Sequence, residues 1–353
     1  MQWIETNLDF IRYSISASDE KPKGINTIDW GRLMEFCGQQ GILGVAFRGI
    51  ERCEPKMPKD TLLEWIGTEE SLRAKNRLTN KCMVEVTAFF EKNGRRSCIL
   101  KGQANAQMYP QPELRSPGDI DIWVEGKTEE IIRMVLAETP GAHYSIHHVK
   151  MPAFKDVSVE VHYRPMYLTN WFKDKRLQRY IDRIQESQFE NRLRVDDGAI
   201  GVLTGEFNVV YQVLHMFAHF FSTRNNLKQL IDYYYLLRSL DLSETTKAEI
   251  AVRMKEFGVL KYAKGIMWIM TEVLGLDERL LIVDKDEKVG RLIFGEVLKY
   301  GAYTNDNLKA LVRQFWANLK LARVFPQNVL INPLFLVWHQ WWKMRMKGRI
   351  LNK

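Results

Sequence analysis

Residues Cys98 to Val124 decide the fold, above all the closing heptapeptide Gly118-Asp119-Ile120-Asp121-Ile122-Trp123-Val124. It alternates polar and apolar, the period of a half-buried strand. On such a strand Asp119 and Asp121 share one face while Ile120 and Ile122 share the other. Side chains two residues apart along a strand are separated by about 6–7 Å. Two carboxylates at that spacing repel by roughly 2–3 kcal/mol at an effective dielectric near 20. Water or a hard cation such as Mg²⁺ relieves the repulsion. Upstream, Cys98-Ile99-Leu100 reads as a short strand that breaks at Lys101-Gly102. A helix from about Gln103 to Met108 follows and ends before Pro110 and Pro112.

One Asp-x-Asp is weak on its own, because a chain of this length holds about one by chance. Two solvated aspartates at the mouth of a strand remain the alternative. A third carboxylate changes the balance. Val157-Ser158-Val159-Glu160-Val161-His162-Tyr163 also alternates, with valines on one face and Ser158, Glu160 and His162 on the other. If the two strands are neighbours, Asp119, Asp121 and Glu160 converge as a two-metal set. His162 then either supports the carboxylates and touches substrate, or is a packing histidine.

Three further residues fit phosphate recognition. Gly102, without a Cβ, lets backbone N–H groups approach an anion at a strand-to-helix turn. Lys101 reaches a phosphate or ends a strand in solvent, and Arg115 either clamps phosphate bidentately or pairs with Glu113. His215 and His219 stand four apart on a helix, yet His-Glu-x-x-His is absent, so packing histidines are expected there. His147-His148 shows no nearby ligand pattern. No Walker loop and no Gly-x-Gly-x-x-Gly occurs, which removes the main support for P-loop kinase and dehydrogenase readings.

Lys101-Gly102, Tyr109-Pro110, Leu114-Arg115, Gly118-Asp119-Ile120-Asp121 and the Glu160-Val161-His162 strand together resemble the uncharacterised nucleotidyltransferase family of the polymerase-β-like superfamily. Asp29-Trp30 and Gly41-Ile42-Leu43 look like its helical opening. Leu214-His215, His219 and Leu227 to Asp232 look like its helical second half. The resemblance implies an enzyme that binds a nucleoside triphosphate with Mg²⁺ or Mn²⁺. By the same resemblance Asp119, Asp121 and Glu160 are catalytic and metal-binding, and Lys101, Gly102, Gly118, Arg115 and His162 lie at the nucleotide. One departure stands out: the superfamily's Gly-Ser is Lys101-Gly102 here, which leaves the donor nucleotide open.

The expected fold is α+β and mainly helical. A small mixed-sheet polymerase-β-like core at 96–200 is flanked by a helical region at 1–95 and a helical domain at 201–353. Strands are expected at 143–149 and 157–163, and a helix at 128–137. Beyond Glu206–Phe221 and Leu227–Ser239, helices follow at 262–274, 288–300 and 308–325. The four cysteines fit no metal spacing and read as reduced thiols.

The 353 residues carry a net charge of +8, which suits anionic partners. No acidic residue follows Asp306, whereas Trp338, Trp341 and Trp342 stand beside Lys343, Arg345, Lys347 and Arg349. That tail reads as a packed last helix or as a peripheral contact with membrane or an acidic partner. The start lacks a basic region followed by an apolar one, and no long apolar run occurs, so a cytoplasmic protein is expected. The function expected is transfer of a nucleotidyl or related phosphate-linked group to a small-molecule or saccharide acceptor, in a pathway such as surface-polysaccharide synthesis. The alternatives are a non-catalytic nucleotide-binding scaffold and a nucleic-acid-directed nucleotidyltransferase. The second is disfavoured because the positive charge gathers far from the aspartates.

Overall fold

A sheet of four short strands, a two-stranded hairpin and a set of helices around them make up the described part of the protein, seen in a computed structural model that describes residues 2–154, 157–196, 198–222, 224–300, 319 and 321–351. The strands are β1 (Ser97–Ile99), β2 (Ile120–Val124), β3 (His148–Phe154) and β4 (Val157–His162), in the order β1-β2-β4-β3. β1 runs antiparallel to β2, β2 parallel to β4, and β3 antiparallel to β4. The sheet is mixed, as the sequence suggests.

Helices α1 (Gln2–Ile15), α2 (Trp30–Gln40), α3 (Leu43–Cys53) and α4 (Lys59–Lys92) precede it. Asp29 caps α2 by accepting from the Arg32 amide, and Gly41 ends that helix at φ 67°. α4 is one helix of 34 residues, about 51 Å long at 1.5 Å per residue. Trp65, near its start, belongs to a core of helices, whereas Cys82, Met83, Val86 and Phe90 pack under the sheet. α4 thereby ties the two cores together.

α5 (Gln103–Ala106), α6 (Thr128–Glu138) and α7 (Trp171–Glu190) belong to the sheet region. A hairpin of β5 (Arg192–Val195) and β6 (Gly198–Gly201) follows. Then come α8 (Gly205–Phe221), α9 (Leu227–Ser239), α10 (Glu244–Glu256), α11 (Leu260–Trp268), α12 (Glu287–Tyr300) and α13 (Pro326–Leu351). Residues of α1 to α3 and of α8 to α12 share one core. The chain leaves that core to build the sheet and returns to it.

Two sequence expectations need correction. The strand expected at 143–149 begins instead at His148, because the Ser145 amide donates to the His148 carbonyl at 2.8 Å and turns the chain first. Pro152 is tolerated inside β3 because that strand is at the edge of the sheet. The β5–β6 hairpin, at the end of the α/β core expected over 96–200, is not among the expected strands; it is signalled by Arg192-Leu193-Arg194-Val195 followed by Asp196-Asp197-Gly198. The helix expected at 308–325 lies mostly outside the described residues.

Cys37, Cys53, Cys82 and Cys98 are free and buried, and burial pushes the Cys37 and Cys98 thiols up. In the tail, Met346 is buried in the sheet-side core with Trp342 and Ile350 against it, while Trp341 is exposed. Among the described residues no helix is long and apolar enough to cross a membrane.

Candidate active site

Parallel pairing of β2 with β4 sets Asp121 opposite Glu160. Residues opposite each other on adjacent strands share a face, so the two carboxylates stand side by side with His162 two residues on. Asp121 is 3% exposed, and its Oδ1 lies 3.0 Å from His162 Nε2. Lys101 Nζ, delivered by the end of β1, is 3.1 Å from Asp121 Oδ2. Burial alone would push the Asp121 carboxyl up, but Lys101 and His162 outweigh it and hold the group well below the usual carboxylate range. Glu160 pairs with Lys150 at 3.0 Å through Oε1, and its Oε2 is 3.6 Å from His148 Nδ1. Asp119 is exposed just before β2 begins and lines the same cavity as Asp121.

The helical wall comes from α8 and α9. His215 Nε2 lies 3.0 Å from Lys101 Nζ and 3.0 Å from His219 Nε2. Lysine only donates, so His215 Nε2 is the accepting nitrogen. Burial keeps His215 neutral, and it lowers His219 to about 4. These histidines face the cleft while packing on one another.

Arg115 does not pair with Glu113, which instead meets Arg73. Its guanidinium forks onto Asp232 of α9 at 2.7 and 2.8 Å, and the Tyr109 hydroxyl donates to the same carboxylate at 2.6 Å. Asn76 of α4 fixes the loop before β2 by donating to the carbonyls of Glu113 and Arg115 at 2.7 and 2.9 Å. Gly102 adopts φ 65°, ψ −112°, where a side chain would be strained, and a Cβ there would stand 3.6 Å from the Asp119 carbonyl. Gly118 lies on the cavity wall near Lys228 Nζ.

Together these residues enclose a cavity of about 190 Å³ between the sheet and α8–α9. Lys101, Gly102, Gly118, Asp119, Asp121 and Arg115 all line it. Glu160 and His162 join through Asp121. Sequence reading missed Lys228 and the role of Asp232. Lys228 makes no ion pair or hydrogen bond among the described residues, and burial, reinforced by Arg115, lowers its ammonium to about 8. Its only sequence signal is its place one residue into α9, one turn before a helical aspartate.

A family model described as "Uncharacterised nucleotidyltransferase" matches residues 26–275, more than two thirds of the chain. An antigenic nucleotidyltransferase-like protein from Paracoccidioides brasiliensis is 12% identical at a TM-score of 0.31, with 52% of this chain and 93% of that chain covered. No curated protein matches the chain.

Proposed function

Because the chain belongs to the uncharacterised nucleotidyltransferase family, we propose that it transfers a nucleotidyl group from a nucleoside triphosphate, with a divalent metal, to a small-molecule or saccharide acceptor. The observation that carries this reading is the pairing of Asp121 with Glu160 on adjacent strands beside a cavity that also holds Asp119, Lys101 and Lys228. Oxygen donors of this kind suit Mg²⁺ or Mn²⁺. Asp121 Oδ2 fits the role as well, being buried with no hydrogen bond beyond its ion pair to Lys101.

Asp119, Asp121 and Glu160 would hold the metal, which when bound neutralises charge on the triphosphate. His162 orients Asp121 through the 3.0 Å contact to Oδ1. Lys101 is the standing counter-ion of Asp121 and is free to turn to phosphate once a cation replaces it. Lys228, with no partner among the described residues, supplies a second positive charge across the cavity. Arg115, already bonded to Asp232, holds the loop in place and contributes field rather than a new contact.

A second pocket supports a small-molecule acceptor. It measures about 780 Å³, within the range of small-molecule sites. Trp171 and Phe172, 65% and 77% exposed, line it with Trp338 of α13 and the cations Arg164, Lys175 and Arg179. Ile146 also lines it, one residue from the histidine beside His162.

The test is a thermal-shift panel of ATP, GTP, CTP and UTP with and without Mg²⁺, on wild type, Asp119→Asn and Asp121→Asn. A Mg²⁺-dependent shift with one nucleotide, lost in both variants, is expected and names the donor. Absence of any shift in the wild type counts against a nucleoside triphosphate donor.

A further inference from the structure

Three histidines from two chain segments meet beside Glu160. His147 lies in the turn before β3, His148 begins β3, and His162 ends β4. Ring centroids are 4.4 Å apart for His147 and His148, 5.2 Å for His147 and His162, and 5.3 Å for His148 and His162. One nitrogen from each ring lies within 4.8 Å of the others. The sequence shows only the adjacent pair; the pairing of β3 with β4, which sets His148 opposite His162, brings the third.

The hydrogen bonds tie His147 to His148 and leave one nitrogen of the cluster, on His162, without a partner among the described residues. A carboxylate only accepts, so His162 Nε2 donates to Asp121 Oδ1, and in that tautomer the ring's lone pair is on Nδ1. That Nδ1 is buried in a residue 4% exposed and has no partner among the described residues. A carboxylate that holds one ring nitrogen and leaves the other as a donor is the usual support of a metal-binding histidine. His147 is supported similarly, its Nδ1 lying 3.2 Å from Ser145 Oγ, which can accept from it and free Nε2. That Nε2 is 3.0 Å from His148 Nδ1, and His148 Nδ1 is 3.6 Å from Glu160 Oε2. Ligands on a tetrahedral ion at 2.0–2.1 Å stand about 3.4 Å from each other, so the His147–His148 and His148–Glu160 separations are each close to what one ion requires, and the third imidazole stands within 4.8 Å.

The surroundings exclude water from one side. The Tyr167 ring lies 4.7 Å from His147 and stacks on Phe335 of α13 at 5.3 Å. The backbone is also fixed there, since the His147 carbonyl accepts from the Tyr163 and Arg164 amides at 3.0 and 3.3 Å.

We propose that His147, His148 and His162 form an imidazole site for a divalent transition ion of the Zn²⁺, Co²⁺ and Ni²⁺ class, next to the carboxylate site and reaching it through Glu160. Imidazole nitrogens select such borderline ions over Mg²⁺, which prefers oxygen. The three imidazoles do not depend on the nucleotidyltransferase reading; only the link through Glu160 rests on it. Such an ion would tie the start of β3 to the end of β4 and hold the strand that carries Glu160.

The test is titration of the metal-free full chain with Co²⁺, followed by visible absorption, and with Zn²⁺ by calorimetry, each in a large excess of Mg²⁺. One tightly bound equivalent is expected, with the intense cobalt bands of a low-coordinate nitrogen site. His147→Gln and His148→Gln should each lower the affinity by more than about 10-fold, the lower end of what loss of an outer partner costs. Asp119→Asn should keep the cobalt bands while losing the Mg²⁺-nucleotide shift, which separates this site from the carboxylate site. The proposal is overturned if no ion binds, if excess Mg²⁺ displaces it, or if binding survives in both histidine variants. Circular dichroism of the metal-free variants checks folding, and either variant alone suffices if the other does not fold.

Discussion

Two buried ionic centres face the same cavity, and they are built differently. Around Asp232 every strong donor is matched: Arg115 forks onto both oxygens and the Tyr109 hydroxyl adds a third bond. Around Asp121 the match is incomplete, with one lysine shared with His215, one histidine nitrogen, and a neighbouring carboxylate held by another lysine. A closed centre gains nothing from a ligand, whereas an open one is completed by a cation. The difference separates a support for the loop before β2 from a site for chemistry.

The largest effects test that division directly. Breaking a fully buried pair by removing one partner costs about 3–5 kcal/mol, so Asp232→Ala should lower stability by that amount in a denaturant titration. Asp121→Asn keeps the shape of the side chain and leaves Lys101 near His215 and Glu160, so a smaller loss of about 1–3 kcal/mol is expected. Activity should order the other way. Loss of an outer partner alone costs 10–100-fold in metal affinity or activity, and Asp121→Asn removes a proposed ligand itself, so turnover should fall by more than that. Equal stability losses in the two variants, or near-normal turnover in Asp121→Asn, would erase the distinction.

Lys228 sharpens it from the helical wall. Among the described residues it is the cation of this cavity that the closed centre leaves unpaired. A hydrogen bond to a charged group is worth about 1.5–3 kcal/mol, so Lys228→Met should raise the KM for nucleotide by roughly 10- to 100-fold with little change in stability. With its ammonium lowered to about 8, nucleotide binding by the wild type should weaken as pH rises past that value. The variant should lose that dependence. A KM that does not move assigns the phosphate to Lys101 alone.

A smaller effect comes from the neutral histidines. Burial lowers His148 to about 3 and His219 to about 4, whereas an unfolded histidine protonates near 6.5. Between those values the unfolded chain binds more protons, so stability rises with pH over roughly 4 to 6.5 and flattens above. Asp121 adds a slope of the same sign below its unfolded value near 3.9, since its stabilising charge is lost as pH falls. Melting temperatures from pH 4 to 8 should follow that curve, and His148→Gln with His219→Gln should flatten its upper part. An unchanged slope in the double variant would place the titration elsewhere.

The polar faces of β2 and β4 were legible because alternation with period two is a local property: Asp119, Asp121, Glu160 and His162 needed only that pattern to be aligned. Which strands become neighbours is not local, and there the resemblance to a known family supplied what periodicity could not. Arg115 shows the limit. Its nearest acid in sequence is Glu113, but its partner is 117 residues away on α9, and no spacing rule connects them. His147 and His148 carry little meaning as an adjacent pair and acquire it only when β3 pairs with β4. Lys228 was missed because an unpaired lysine in a helix looks like any solvated one until the cavity around it is seen.

The smallest effect concerns the two aspartates that opened the sequence reading. At strand spacing they repel by roughly 2–3 kcal/mol at an effective dielectric near 20, which suggests that neutralising either one should stabilise the protein. In the folded chain they are unlike each other: Asp119 is exposed and Asp121 is buried against Lys101 and His162. Lys101 also feels Asp119, so one ammonium offsets both charges and solvent screens the outer one. Asp119→Asn should therefore change stability by less than about 0.5 kcal/mol, the range for an exposed position, even though it removes a proposed metal oxygen. A gain above 1 kcal/mol in the metal-free protein would mean that Lys101 does not offset the repulsion. The open centre would then be strained by charge in the absence of its cation, and not merely incomplete.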